Sequence, residues 1–159
     1  SPRRLTFSTS GLTEKLDAAA EALPPIGLAV SLNAPDDATR AAIMPVAKKH
    51  PIAGLVAAAA GYSLMTGADL TFEYVLLAGI NDSAAHARKL ASLLKGVRCK
   101  VNLISFNPFP GCAFDRPSEK SVAAFQNYLK KMGVQAFLRA SRGADIGAAC
   151  GQLSGVPKK

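Results

Sequence analysis

Polar side chains that could do chemistry are concentrated in four short segments, each at the end of an apolar, strand-like run. Their serine hydroxyls, asparagine amides and strand-end backbone groups could bind a small polar ligand. The same residues also have structural interpretations, as helix caps, turn formers or, for Glu73, a solvated carboxylate. The segments are residues 8–11, 31–33, 73–79 and 107–111.

A further candidate is Cys150, which lies among alanine and glycine in residues 142–153. Small neighbours would let its thiol reach into a cleft, although reactivity also needs a lowered pKa and access. A lone cysteine is more often a small buried hydrophobic residue. With Cys99 and Cys112 it makes three widely spaced cysteines, which predict neither a disulfide framework nor a metal site. We therefore expect a reducing, cytoplasmic setting.

Alternating strand and helix patterns predict the elements that must position these residues. Five parallel strands joined by helices give an α/β fold with βα repeats, either an open sheet or part of a barrel. Functional residues of such folds gather at the carboxyl ends of the strands, so the four segments are predicted to form one mouth. The predicted strands cover residues 4–9, 27–32, 70–77, 99–104 and 134–139. The predicted helices cover residues 13–23, 36–43, 52–65, 81–95 and 118–132, and their predicted caps are Thr13, Asp36 or Asp37, residues 81–83, and Ser118.

The overall composition favours one folded, basic domain over residues 1–153, followed by a frayed tail over 154–159. The chain has 159 residues, of which 49% are hydrophobic and 19% charged, and this argues against disorder. No apolar run reaches the roughly 18 residues of a membrane span. A net charge of +8 favours a polyanion such as nucleic acid, although a charge kept for solubility explains the number equally well.

Five blocks of sequence lie in the order and with the spacing of one enzyme family. On these blocks the chain resembles the carboxyl-terminal part of the RlmN-type radical-SAM methyltransferases, which methylate carbon 2 of an adenine in large-subunit rRNA and, in some relatives, tRNA. The resemblance implies part of a radical-SAM partial (β/α) barrel whose first strands are missing from this sequence. The blocks are residues 3–11, 28–35, 72–82, 99–111 and 142–153.

The resemblance also assigns roles to individual residues. Cys150, on a methyl-carrier loop over about 140–153, matches the cysteine that takes a methyl group from one S-adenosylmethionine. A radical derived from a second S-adenosylmethionine then activates this methyl group for addition to the adenine. The positions that hold S-adenosylmethionine in the family correspond to Ser8, Ser31, Leu32, Asn33 and Asn107.

Departures from the family pattern bear on activity. Asn33 stands where the family usually has histidine, and Ser105 replaces a common proline. Before Cys150 the family usually has Asp-Asp-Ile-Asp, whereas this chain has Ala144-Asp145-Ile146-Gly147. The family's iron–sulfur (4Fe-4S) cluster needs a Cys-x3-Cys-x2-Cys loop, which Cys99, Cys112 and Cys150 cannot supply. We therefore expect no metal ligands in this chain and no turnover by it alone.

Two alternative functions remain open at this point. A related Cfr-type enzyme acts on carbon 8 of the same adenine, although the Arg142-Gly143 pair favours the carbon-2 enzyme. A non-catalytic basic module that binds RNA and S-adenosylmethionine is the other. For any of the three we expect rRNA as partner, with tRNA as a second candidate, and no membrane. A sheet opened along residues 4–8 would also expose an edge, which predicts self-association.

Overall fold

The structure, a computed structural model, describes residues 4–11 and 13–139. They form a five-stranded parallel sheet in which the strand order follows the sequence, β1-β2-β3-β4-β5. This confirms the predicted α/β class. The strands are β1 (Thr6–Thr9), β2 (Gly27–Ser31), β3 (Leu70–Leu76), β4 (Lys100–Ser105) and β5 (Gln135–Arg139). The helices are α1 (Leu16–Ala22), α2 (Asp37–Ile43), α3 (Ile52–Thr66), α4 (Ala84–Leu93) and α5 (Glu119–Lys131), with 3-10 turns at Thr13–Lys15 and Pro45–Lys48.

All the long helices cover the same side of the sheet. Right-handed crossovers between strands in sequential order place every helix on one face, and side chains from α1, α3, α4 and α5 form one core cluster with the strands. Along β3, burial alternates strictly, so that Phe72 and Tyr74 are fully buried while Thr71, Glu73 and Val75 are half-buried. The half-buried side chains lie on the other face of the sheet, which no described helix covers and which we call the open face. A sheet wound in one direction is consistent with part of a barrel and excludes a doubly wound sheet.

Most predicted helix caps are confirmed, but Thr13 is not a cap. Ser118 accepts a hydrogen bond from the Ser121 amide (3.1 Å) at the start of α5. Thr13 instead opens a 3-10 turn, and its hydroxyl lies 3.3 Å from Nδ1 of His50. Helix α1 begins after Lys15 without a side-chain cap. The hydroxyl thus forms a tertiary contact, which local sequence does not reveal.

Within residues 4–11 and 13–139, helices are too short or too polar to cross a membrane.

Candidate functional site

The predicted serine sites lie at the carboxyl half of β1 and β2 on the open face. Ser8 is exposed and pairs in register with Ala29, and Ser31, the last residue of β2, pairs with Glu73. Leu32 differs, because its side chain is fully buried in the core. Its amide also donates to the Glu73 carbonyl (2.9 Å). Ser8 and Ser31 therefore present hydroxyls to the open face, whereas Leu32 contributes packing.

Asn33 connects the end of β2 to the end of β3. It adopts a left-handed backbone conformation (φ 58°), which asparagine tolerates better than most residues. Its Oδ1 accepts a hydrogen bond from the Val75 amide (3.0 Å), and its Nδ2 lies 3.3 Å from the Met44 sulfur. The amide side chain thus shapes the mouth through the protein's own backbone.

Asn107 lies in the loop that follows β4, and this loop is held beside β3. Its Oδ1 accepts a hydrogen bond from Nη1 of Arg116 (3.0 Å). Phe106 packs edge-on against Phe109 and Phe114, and its amide donates to the carbonyl of Leu76 (3.2 Å). The structure therefore places Asn107 at the carboxyl end of the sheet, as it does Ser31 and Asn33.

The open face carries a polar row that the sequence interpretation identified only in part. Ser31, Glu73 and Asn102 pair in register across β2, β3 and β4. Glu73 is 25% exposed, and its Oε1 lies 3.7 Å from Nη1 of Arg139 at the end of β5. Glu73 therefore faces outward on the open face, where it is partly buried and lies near a guanidinium. Asn102 and the placement of Arg139 beside Glu73 could not be predicted, because alternation within a strand gives the face only once the register between strands is known.

Arg40 is a second residue that the sequence interpretation missed. It lies on α2 and is fully buried. Its guanidinium donates to main-chain carbonyls at the ends of β1 and β2, and burial lowers its pKa, opposed by the nearby Asp37 carboxylate. The acceptors are the carbonyls of Ser10 (Nη2, 2.8 Å), Leu32 (Nε, 3.0 Å), Ser31 (Nη2, 3.2 Å) and His50 (Nη1, 3.4 Å).

Asn81 makes the corresponding connection between β2 and β3. Predicted as part of a helix cap, it is instead fully buried, and Ser83 caps α4. Its Nδ2 donates to the carbonyls of Asn33 and Val75, both at 2.7 Å, and its Oδ1 accepts from the amide of Leu77 at 2.7 Å. Both Nδ2 hydrogens and one of the two Oδ1 lone pairs therefore bind main-chain groups at strand ends.

The described cysteines do not form a metal site. Cys99 precedes β4 at the amino end of the sheet, whereas Cys112 lies in the loop at the carboxyl end. Burial raises the pKa of Cys99 to about 11, which disfavours the thiolate that metals bind. No group of three or more potential ligands occurs among residues 4–11 and 13–139. The residues that the structure describes therefore do not fit an iron–sulfur cluster. Cys150 and the loop over 140–153 lie outside the described residues.

The donor set of the mouth fits S-adenosylmethionine better than it fits a metal. Hydroxyls at Ser8 and Ser31 suit ribose oxygens, and the carboxylate of Glu73 suits an ammonium or sulfonium group. The guanidinium of Arg139 suits a carboxylate. A zwitterionic nucleoside carries all of these groups.

Comparisons with known proteins show which proteins the chain is similar to. No family model matches the chain. It is 52% identical over 155 residues to the dual-specificity RNA methyltransferase RlmN of Syntrophus aciditrophicus, covering 98% of this chain and 44% of that protein. The RlmN of Syntrophobacter fumaroxidans is 48% identical, with 96% of this chain and 44% of that protein covered.

Solved structures give the same result for the fold. A radical SAM methyltransferase from Sphaerobacter thermophilus superposes with a TM-score of 0.92 at 47% identity, over 96% of this chain and 45% of that one. A domain of a pyruvate-formate lyase-activating enzyme from Bacteroides vulgatus matches at 15% identity with a TM-score of 0.66, which supports the fold alone. The chain spans less than half the length of the RlmN relatives. In sequence and fold it corresponds to the carboxyl-terminal portion of the RlmN-type radical-SAM methyltransferases, and the resemblance to that family is thereby confirmed.

Proposed function

We propose that this chain supplies the S-adenosylmethionine-holding and methyl-carrying part of a cytoplasmic radical-SAM RNA methyltransferase. Its substrate is the carbon-2 position of an adenine in large-subunit rRNA, with tRNA as a second substrate. The proposal is carried by one observation: the polar groups of β1, β2, β3 and the loop after β4 lie together on the open face, at the carboxyl end of the sheet. The two RlmN relatives, named for dual specificity, support the substrate class.

Ser8, Ser31 and Asn107 are the side chains that would contact the cofactor. The serine hydroxyls would bind its ribose and amino-acid groups, and the amide of Asn107, oriented by Arg116, would bind the adenine. Leu32 and Asn33 would contribute through the backbone shape that they impose. When bound, S-adenosylmethionine supplies an electrophilic methyl group.

Cys150 would act as the methyl carrier. As a thiolate it attacks the methyl carbon, so that a new carbon–sulfur bond forms while the sulfonium carbon–sulfur bond breaks and its electron pair stays on the departing thioether. The thiol proton goes to solvent or a base before attack. A carrier is chemically reasonable because carbon 2 of adenine is not nucleophilic enough to take the methyl group directly. No step is assigned to an iron–sulfur cluster, which the described residues do not fit.

Charge at the mouth supports an RNA substrate. Exposed basic side chains lie after β2, in the loop after β4 and at the end of β5, at the same carboxyl end of the sheet as the proposed cofactor-binding residues. A basic rim attracts phosphate groups and makes affinity fall steeply with salt. These residues are Lys48, Lys49, Arg116 and Arg139.

Mass spectrometry of the peptide that contains Cys150 tests the proposal directly. The protein is purified from cells as its gene encodes it, and the peptide is expected to carry one extra methyl group. Cys150→Ala removes this signal, whereas Cys99→Ala, at the opposite end of the sheet, leaves it unchanged. An unmethylated Cys150 in protein that binds RNA in a salt-dependent way would favour the non-catalytic module instead.

Digestion of the product RNA decides the position of the modification. A carbon-2 methyladenosine supports the proposal, and a carbon-8 product would assign the chain to the Cfr-type alternative. The isolated residues 1–159 are expected to methylate no RNA. Turnover by these residues alone would contradict the proposed need for cluster ligands from elsewhere.

A further inference from the structure

We infer that Arg40 and Asn81 are positioning residues that fix the cofactor-binding mouth without touching the cofactor, an inference that rests on the proposed function. They are the only polar or charged residues classed as buried, tyrosine aside, in the part of the chain that the structure describes. Both direct their hydrogen bonds at the carboxyl ends of adjacent strands.

The burial of Arg40 needs an explanation in energetic terms. Moving a guanidinium out of water is costly unless its donors are satisfied. Its partners among the described residues are main-chain carbonyls, and no carboxylate lies within hydrogen-bonding distance of it. The neighbouring carboxylate, Asp37, accepts instead from the amide of Ile52 (2.7 Å). An apolar side chain would fill the space but would leave the strand-end carbonyls of Ser10 and Leu32 without these donors.

Together the two side chains form a continuous brace across three strands. Arg40 joins the carbonyl of Ser10, just past β1, to those of Ser31 and Leu32 at the end of β2. Asn81 joins Asn33, just past β2, to the end of β3. The brace therefore sets the spacing between the hydroxyls of Ser8 and Ser31 and the backbone that follows them.

Tyr62 offers a matched control at the other end of the same strand. Its hydroxyl donates to the carbonyl of Ile26 (2.9 Å), immediately before β2, and the side chain is 1% exposed. Tyr62→Phe therefore also removes a buried donor from a backbone carbonyl of the sheet, but at the amino end. It should lower stability without altering the mouth.

The experiment compares Arg40→Met, Asn81→Leu and Tyr62→Phe in the protein as its gene encodes it. Urea unfolding measures stability, and isothermal titration measures the Kd for S-adenosylmethionine well below the unfolding transition. We expect Arg40→Met and Asn81→Leu to weaken binding by about tenfold or more, equal to roughly 1.4 kcal/mol, with Tyr62→Phe within about twofold. Arg40→Lys, which keeps the charge but loses the planar fork, should restore part of the affinity.

Hydrogen exchange separates positioning from general destabilisation. In Arg40→Met and Asn81→Leu, amide exchange should accelerate at residues 31–33 and 75–77 more than in the rest of the sheet. If the unmodified protein binds S-adenosylmethionine and the variants bind it equally well, or exchange accelerates evenly, the positioning role is wrong. If the unmodified protein binds none, the proposed function fails instead, and exchange confined to 31–33 and 75–77 still supports the brace.

Discussion

Gly11 is the residue at which the brace is most sensitive to one added carbon. Its φ is +114°, and a Cβ there would lie 3.0 Å from Nη2 of Arg40 and 3.1 Å from a methyl carbon of Leu55. We expect Gly11→Ala to lower the free energy of unfolding by about 1–3 kcal/mol from backbone strain, with a further loss from the displaced guanidinium. Urea denaturation measures the difference.

Gly67 gives the comparison that isolates the contact with Arg40. Its φ is also positive (+67°), but no atom lies within 4 Å of the added Cβ. Gly67→Ala should therefore lower the free energy of unfolding only through backbone strain, by about 1–2 kcal/mol, and leave affinity for S-adenosylmethionine unchanged. Equal losses of stability and no loss of affinity in either variant would contradict a link between Gly11 and the mouth.

At the level of residues, local sequence points to candidate polar groups at strand ends but not to the side chains that support them. Ser8, Ser31 and Asn107 could be selected because strand-end position and residue type are both local properties. Arg40 and Asn81 could not, because their roles depend on carbonyls of other strands, to which nothing in the local pattern points. An arginine on a short helix is ordinarily a solvated residue.

At the level of elements, Asp36 joins the start of α2 to α4. Its Oδ1 accepts from the amide of Thr39 (2.9 Å) and its Oδ2 from Nζ of Lys89 (2.6 Å). These contacts, the one with Lys89 foremost, lower the pKa of Asp36 from 3.8 to about 2. Because α2 carries Arg40, this cap also supports the brace.

A depressed folded-state pKa makes the contribution of Asp36 depend on pH. Between about pH 4 and pH 2 the unfolded state binds a proton that the folded state does not, so stability falls as the pH falls. Asparagine keeps a cap acceptor but loses the charge paired with Lys89, so we expect Asp36→Asn to be less stable by about 1 kcal/mol at pH 7, with the difference shrinking towards pH 2. Thermal unfolding over this range measures it.

The ion pair between Lys100 and Asp69 provides the control for Asp36. It spans 3.2 Å, but the Asp69 side chain is 71% exposed. Exposed pairs contribute little, so Asp69→Asn should change stability by less than about 0.5 kcal/mol at any pH in the range. A loss as large as that of Asp36→Asn, or one that does not vary with pH, would show that the cap at Asp36 does not act as described.

The order and type of all ten main elements could be predicted because short β-rich runs alternate with longer apolar or amphipathic segments, and glycine, proline and capping residues separate them. The predicted bounds differ by three residues at the start of α1, which begins at Leu16, and by one or two residues at strand ends, where β1 begins at Thr6 and β2 ends at Ser31. These are the places where tertiary hydrogen bonds decide how far the ladder continues. The 3-10 turn at Thr13–Lys15 was missed for a similar reason, since its threonine hydroxyl contacts His50 from a distant segment.

At the level of the whole molecule, the sheet of the described residues ends in two unpaired strands, β1 and β5. Open edges pair with other chains unless charge or a bulge prevents it. Leu5, just before β1, is 59% exposed, so apolar surface accompanies the unpaired backbone.

We therefore expect the 159-residue chain to associate reversibly as its concentration rises, as measured by analytical ultracentrifugation. Leu5→Lys should weaken association about tenfold by placing charge on the edge, whereas Leu64→Lys, which removes a still more exposed leucine (84%) from α3, should not. A chain that stays monomeric at high concentration would show that the edges are already protected. Equal effects of the two substitutions would show that apolar exposure, and not the unpaired edge, governs association.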